Sequence, residues 1–127
     1  MNAPRSTSRP LVYSCSGCSN LAQLANQVAV HLDRTGQAEM SCIAGVGGGV
    51  PTLVNKARSG RTIIALDGCP LHCVKHCLEK QAIHPSSHIT LTELGFRKRQ
   101  HEDCNGDDLE RVLKWITPLL SPPDTPA

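Results

Sequence analysis

Three of the seven cysteines in this 127-residue chain fall at intervals of four, in the stretch Leu66-Asp67-Gly68-Cys69-Pro70-Leu71-His72-Cys73-Val74-Lys75-His76-Cys77. The apolar run before them, Thr62 to Leu66, has the length and β-branching of a strand buried on both faces. It breaks at Asp67-Gly68, and Pro70 stands where a helix would begin. Cys69 then lies at the strand exit, Cys73 in the first helical turn and Cys77 one turn further on, roughly along one stripe. Thiolates gathered at a strand-to-helix junction suit a soft metal ion. Cys15 and Cys18 form a Cys-x-x-Cys pair just ahead of a second helix, where free amides and the helix dipole are expected to favour thiolate over thiol. Cys42 lies near the end of another expected strand.

The alternative use of so much cysteine is a disulfide framework. No apolar segment with a cleavage site opens the chain, so the protein is expected to be cytoplasmic, where thiols stay reduced. The cysteine count is also odd. Metal or redox chemistry is therefore the expectation. No run approaches the length of a membrane span. The net charge is only +2, and each metal-bound thiolate would lower it. The one basic run, Arg97-Lys98-Arg99, has no aromatic platform beyond Phe96 and reads as a solvated loop, so neither nucleic acid nor membrane is an expected partner. The expected partner is a metal ion.

With one Trp, one Tyr and one Phe, the core must be built from Leu, Val, Ile and Ala, and this length makes one domain. Leu11 to Ser14 reads as a first strand. Ser19 or Asn20 caps a helix carrying Leu21, Leu24, Val28 and Leu32 on one face and ending near Gly36. Glu39 to Ala44 reads as a second strand. Gly45 to Gly49 reads as a tight turn, with Gly47 and Gly48 letting backbone approach the sulfurs, and is neither a P-loop nor a dinucleotide fingerprint. A short helix opens at Pro51. The third strand and the cysteine helix follow, the helix ending near Ala82. Ile89 to Leu94 reads as a fourth strand, and Asp107 with Glu110 as the capping box of a last helix whose buried stripe is Leu109, Val112, Leu113 and Ile116. The expected organisation is a disordered tail over 1–10, a folded domain over 11–118 and a Pro-rich tail over 119–127.

Strands alternating with helices imply an α/β fold: a single three-layer domain with a four-stranded parallel sheet, strand order 2-1-3-4, and helices on both faces. All strand-to-helix loops then emerge at one edge, which gathers Cys15, Cys18, Cys42, Cys69 and Cys73 there. The strand order reverses between the first and third strands, where crevices open in such folds. His84 and His88 fall in a loop at the other edge and read as surface residues, as does His31 near the end of its helix. His72 and His76 share the cysteine helix and could supplement the ligands. Cys104 sits in a polar loop and reads as an unengaged thiol.

At these residues the sequence resembles the DGC-domain family, which is associated with zinc binding. Three motifs carry the match: Tyr13-Ser14-Cys15-Ser16-Gly17 with Ser19-Asn20, Met40-Ser41-Cys42-Ile43-Ala44-Gly45 with Gly47-Gly48, and Ile64-Ala65-Leu66-Asp67-Gly68-Cys69-Pro70-Leu71 with Cys73. They span about Leu11 to Gly95. The resemblance implies four chelating cysteines, which on this chain are Cys15, Cys42, Cys69 and Cys73.

The leading expectation is a zinc-binding protein whose role is structural or one of metal handling or sensing. Cys15, Cys42, Cys69 and Cys73 would hold the ion as thiolates, with Cys18 and Cys77 as second-tier donors. Asp67 and Gly68 would brace the turn. The sequence assigns no catalytic residue and leaves enzymatic activity open. A thiol–disulfide oxidoreductase using Cys15-x-x-Cys18 is one alternative, although the element order differs from the thioredoxin type. An iron–sulfur protein is another, although the spacing matches no common ferredoxin run.

Overall fold

A computed structural model describes residues 9–120; the remainder of both expected tails lies outside the described residues. The chain folds as β1 (Leu11–Ser14), α1 (Asn20–Arg34), β2 (Glu39–Met40), α2 (Ile43–Gly47), α3 (Pro51–Ala57), β3 (Ile63–Asp67), α4 (Cys73–Lys80), β4 (Ser87–Thr90), a 3-10 turn (Leu91–Leu94) and α5 (Asp108–Leu120). The four strands form one parallel sheet in the expected order β2-β1-β3-β4. Every residue of β1 and of β3 is buried, as befits central strands covered on both faces. Helices α1 and α5 pack together, as do α2 and α4. No helix among the described residues is long and apolar enough to cross a membrane.

Ser19 is the N-cap of α1, its hydroxyl accepting the Ala22 N–H at 3.1 Å. The apolar stripe Leu21, Leu24, Val28 and Leu32 is buried as its spacing requires. Gly36, at φ +78, lets the chain leave the helix.

Two elements differ from expectation. The second strand is only Glu39–Met40, and Ile43–Gly47 is helical rather than strand and turn. Packing decides this: a side chain at Gly47 would place Cβ 2.7 Å from Cys77 Sγ, so the bare glycine lets α2 lie against α4 in a helical form its propensity disfavours. The fourth strand stops at Thr90, and Leu91–Leu94 turns into a 3-10 segment. Nor is the expected capping box formed. The side chain nearest that role is Asp108, whose Oδ2 accepts the Asn105 N–H at 3.0 Å.

Candidate functional site

The Asp67-Gly68-Cys69 turn does three separate things. Asp67, 1% exposed, caps α4 from outside the helix: its carboxylate accepts the N–H groups of Val74 at 2.8 Å and Lys75 at 3.2 Å. It also bonds His88 Nε2 at 2.8 Å. The N-cap residue itself, His72, sits at φ 53 with no capping bond from its side chain, so Asp67 takes the role that a side chain at that position ordinarily fills. His72 bonds Thr90 Oγ1 at 3.1 Å and meets the His88 ring edge-on at 4.8 Å. Gly68 lies against the first turn of α1 and directs its N–H at Cys15 Sγ, 3.2 Å away. Cys69, half-buried, lines the thiol cavity.

Cys15, Cys18, Cys69 and Cys73 line one cavity of about 160 Å³, between the exits of β1 and β3, together with Gly68, Leu71, Lys98 and Gln100. This is the crevice where the strand order reverses. All seven cysteines are free thiols. Lys98 Nζ donates to Cys69 Sγ at 3.3 Å, and Cys18 Sγ donates to Gln100 Oε1 at 2.8 Å. Leu71 stands at the mouth, 65% exposed.

Electrostatically the cavity is not what the helix dipole alone would give. Burial pushes the Cys15 thiol up to about 11, against the Gly68 N–H, which lowers it, and with Asp67, Cys73 and Cys69 adding to the rise. Desolvation outweighs the amides and dipole at the start of α1. In the metal-free protein Cys15 is therefore a neutral thiol. Because its folded value lies above the ordinary 9.0, the stability it contributes is complete below pH 9 and lost as the pH rises toward about 11. The interval corresponds to about 3 kcal/mol. Urea denaturation of metal-free wild type and Cys15→Ala at several pH values should show their stability difference shrinking by about that much across this window. A constant difference would show that burial does not hold the proton.

The remaining candidates lie elsewhere. Cys42 lines a separate open groove with Asp33, Arg34, Met40, Ser41, Leu53 and Lys56. Met40 pairs with Val12, two residues short of the end of β1, and the chain turns into α2 before reaching the level of the thiol cavity. Cys77 is half-buried against Gly47 of α2, and burial raises its thiol. Gly48 is the C-cap of that helix. Cys104 donates to Asn20 O at 3.5 Å, its thiol also raised by burial. His76 and His84 are exposed. His88 is a correction: it belongs to β4 rather than to a surface loop, and engages Asp67.

Among the described residues, no three Cys, His, Asp or Glu side chains stand close enough together to hold a metal ion as they are placed. The donor chemistry nonetheless fits a soft ion. Four sulfurs share one cavity, two of them already accept N–H bonds, and Cys18 and Cys73 are exposed. Sequence reading missed Lys98 and Gln100. Their only signal was the basic run over 97–99, which reads as a solvated loop until the fold brings it back across α1.

The DGC domain model matches residues 11–116. The chain is 62% identical over 113 residues to the anaerobic and virulence modulator AnvM of Pseudomonas aeruginosa, an alignment covering 89% of this chain and 86% of that one. No solved structure matches.

Proposed function

This chain belongs to the DGC-domain family, and from that premise we propose that it is a regulatory protein binding zinc on the thiolates of Cys15, Cys18, Cys69 and Cys73. The observation that carries this reading is the cavity these four sulfurs share at the reversal of strand order. Zinc there would tie the exits of β1 and β3 together and keep the thiols from oxidation. Within the chain's own residues, Cys18 and Cys73 are exposed and would supply the outer thiolates, while Cys15 and Cys69 would be held by the Gly68 amide and the Lys98 ammonium. Those two donors, and the capped start of α4, offset the negative charge of a four-thiolate site. Cys42 is outside this set, on its separate groove. The relative's printed name, an anaerobic and virulence modulator, supports regulation over catalysis. An all-sulfur site suits oxygen-poor conditions, because exposed thiolates are the first groups lost to oxidation.

Elemental analysis of protein purified without oxygen tests it. Wild type should carry about one zinc per chain, Cys69→Ala/Cys73→Ala none, and Cys42→Ala the wild-type amount. Zinc retained by the double variant, or a brown iron-containing wild type, would sink the reading. Loss of zinc in Cys42→Ala alone would overturn the ligand set.

A further inference from the structure

The segment Arg97 to Gln100 crosses the start of α1, and Asn20 pins it there. Asn20, 2% exposed, donates from Nδ2 to Arg97 O at 3.0 Å and accepts the Arg99 N–H on Oδ1 at 2.6 Å. Its own N–H donates to Arg99 O at 2.9 Å, and Ser19 pairs antiparallel with Gln100. An extended segment turns alternate side chains to opposite sides. Lys98 and Gln100 accordingly line the thiol cavity, whereas Arg97 and Arg99 line a second cavity of about 140 Å³.

A third guanidinium completes this second cavity. Arg111 enters it from α5, stacked 4.5 Å over the Phe96 ring and held by Asp108 Oδ1 at 2.7 Å. Asp108 is the one carboxylate in the lining, and its other oxygen is engaged by the Asn105 N–H. Arg99 is steadied from outside by Glu102 at 2.8 Å. Among the described residues no carboxylate pairs with Arg97. Three arginines against two carboxylates, Asp108 in the lining and Glu102 beside it, leave one net positive charge. Asn20 fixes the backbone of Arg97 and Arg99, Glu102 steadies the Arg99 side chain, and Phe96 and Asp108 steady Arg111. Such preorganised forks match the oxygens of a phosphoryl group.

We propose that this second cavity binds a small phosphoryl anion, on Arg97, Arg99 and Arg111, independently of any metal at the thiol site. The cavity has room for the phosphoryl group itself, so the remainder of an ester would project into solvent. Cys104 also lines it and supplies an internal reporter.

The test is calorimetric titration of the full chain with inorganic phosphate at constant ionic strength, with peptide mapping of Cys104 alkylation in parallel. Saturable binding with a Kd of about 1 mM or tighter is expected. Cys104 protection should saturate over the same range. Arg97→Gln and Arg99→Gln should each weaken binding by about tenfold, the loss of a charged hydrogen bond. Neither touches the main-chain bonds to Asn20; should either fail to fold, Cys104 protection in the wild type decides alone. A glycerol phosphate arm separates sources: equal binding points to an ester, and binding of inorganic phosphate alone to the free ion, both supporting the site. Protection by chloride equal to that by phosphate, or phosphate binding unchanged in both variants, would overturn it.

Discussion

Asp67→Ala is expected to cost about 3 kcal/mol of folding stability. The carboxylate is buried and accepts from two amides in the first turn of α4 and from His88. Removing it leaves the buried Val74 N–H without a partner, at about 1–3 kcal/mol. It also leaves the Lys75 N–H and His88 Nε2 without that partner. Asp67→Asn keeps an oxygen for the amides and should recover more than half of the loss. Cys73 opens α4, so fraying of that turn also displaces a proposed ligand. Zinc affinity in Asp67→Ala should fall by about 10–100-fold, as for other residues that orient metal ligands. Urea denaturation of the metal-free protein isolates the first effect and competitive chelation reads the second. A stability loss under about 1 kcal/mol would mean that water replaces the carboxylate and that the cap is not built as described.

The sheet was legible because its signals are local and redundant. Thr62 to Leu66 is continuous and apolar, Ser19 caps, Gly36 stops, and the alternation of elements leaves few right-handed topologies. The largest miss was the stretch Ile43–Gly47. Four glycines in five residues over 45–49 read as a turn, and the reason for helix lies thirty residues away, in the thiol of Cys77 that needs the missing side chain of Gly47. Tertiary packing overrode propensity there, with nothing local to announce it.

The site was legible to a different depth. A parallel sheet sends all strand-to-helix loops to one edge, so spacing alone could bring Cys15, Cys18, Cys69 and Cys73 to the same crevice. Depth could not be read: a dipole argument favours a thiolate at Cys15, but burial reverses it. The short register of β2, which leaves Cys42 on another groove, depends on where the chain leaves β1, and periodicity does not fix that. Lys98, Gln100 and the arginines beside them belong to a loop whose destination is set by one buried amide, Asn20. As a sequence feature Asn20 is only a candidate cap.

Gly68→Ala is the sharpest test of how the two cysteine pairs are held together. A Cβ at this position would lie 2.9 Å from Leu21 C, 3.0 Å from Leu21 O and 3.1 Å from Ala22 N. All three are main-chain atoms of the first turn of α1, and the Ala22 N–H is the one that Ser19 caps. A flexible side chain could swing away, but a capped helical turn cannot. The exit of β3 must instead separate from α1, straining the Gly68 N–H to Cys15 and the Thr92 N–H to Gly68 O. The expected loss is about 3 kcal/mol, the upper range for overpacking against a rigid partner. The displacement also parts Cys15 and Cys18 from Cys69 and Cys73, so zinc content should fall even where the variant folds. Gly106→Ala is the control: nothing lies within 4 Å of its Cβ position, and its stability should stay within about 0.5 kcal/mol of wild type. Equal stability of the two variants would show that the turn at Gly68 is not in contact with α1, and the shared cavity would lose its structural basis.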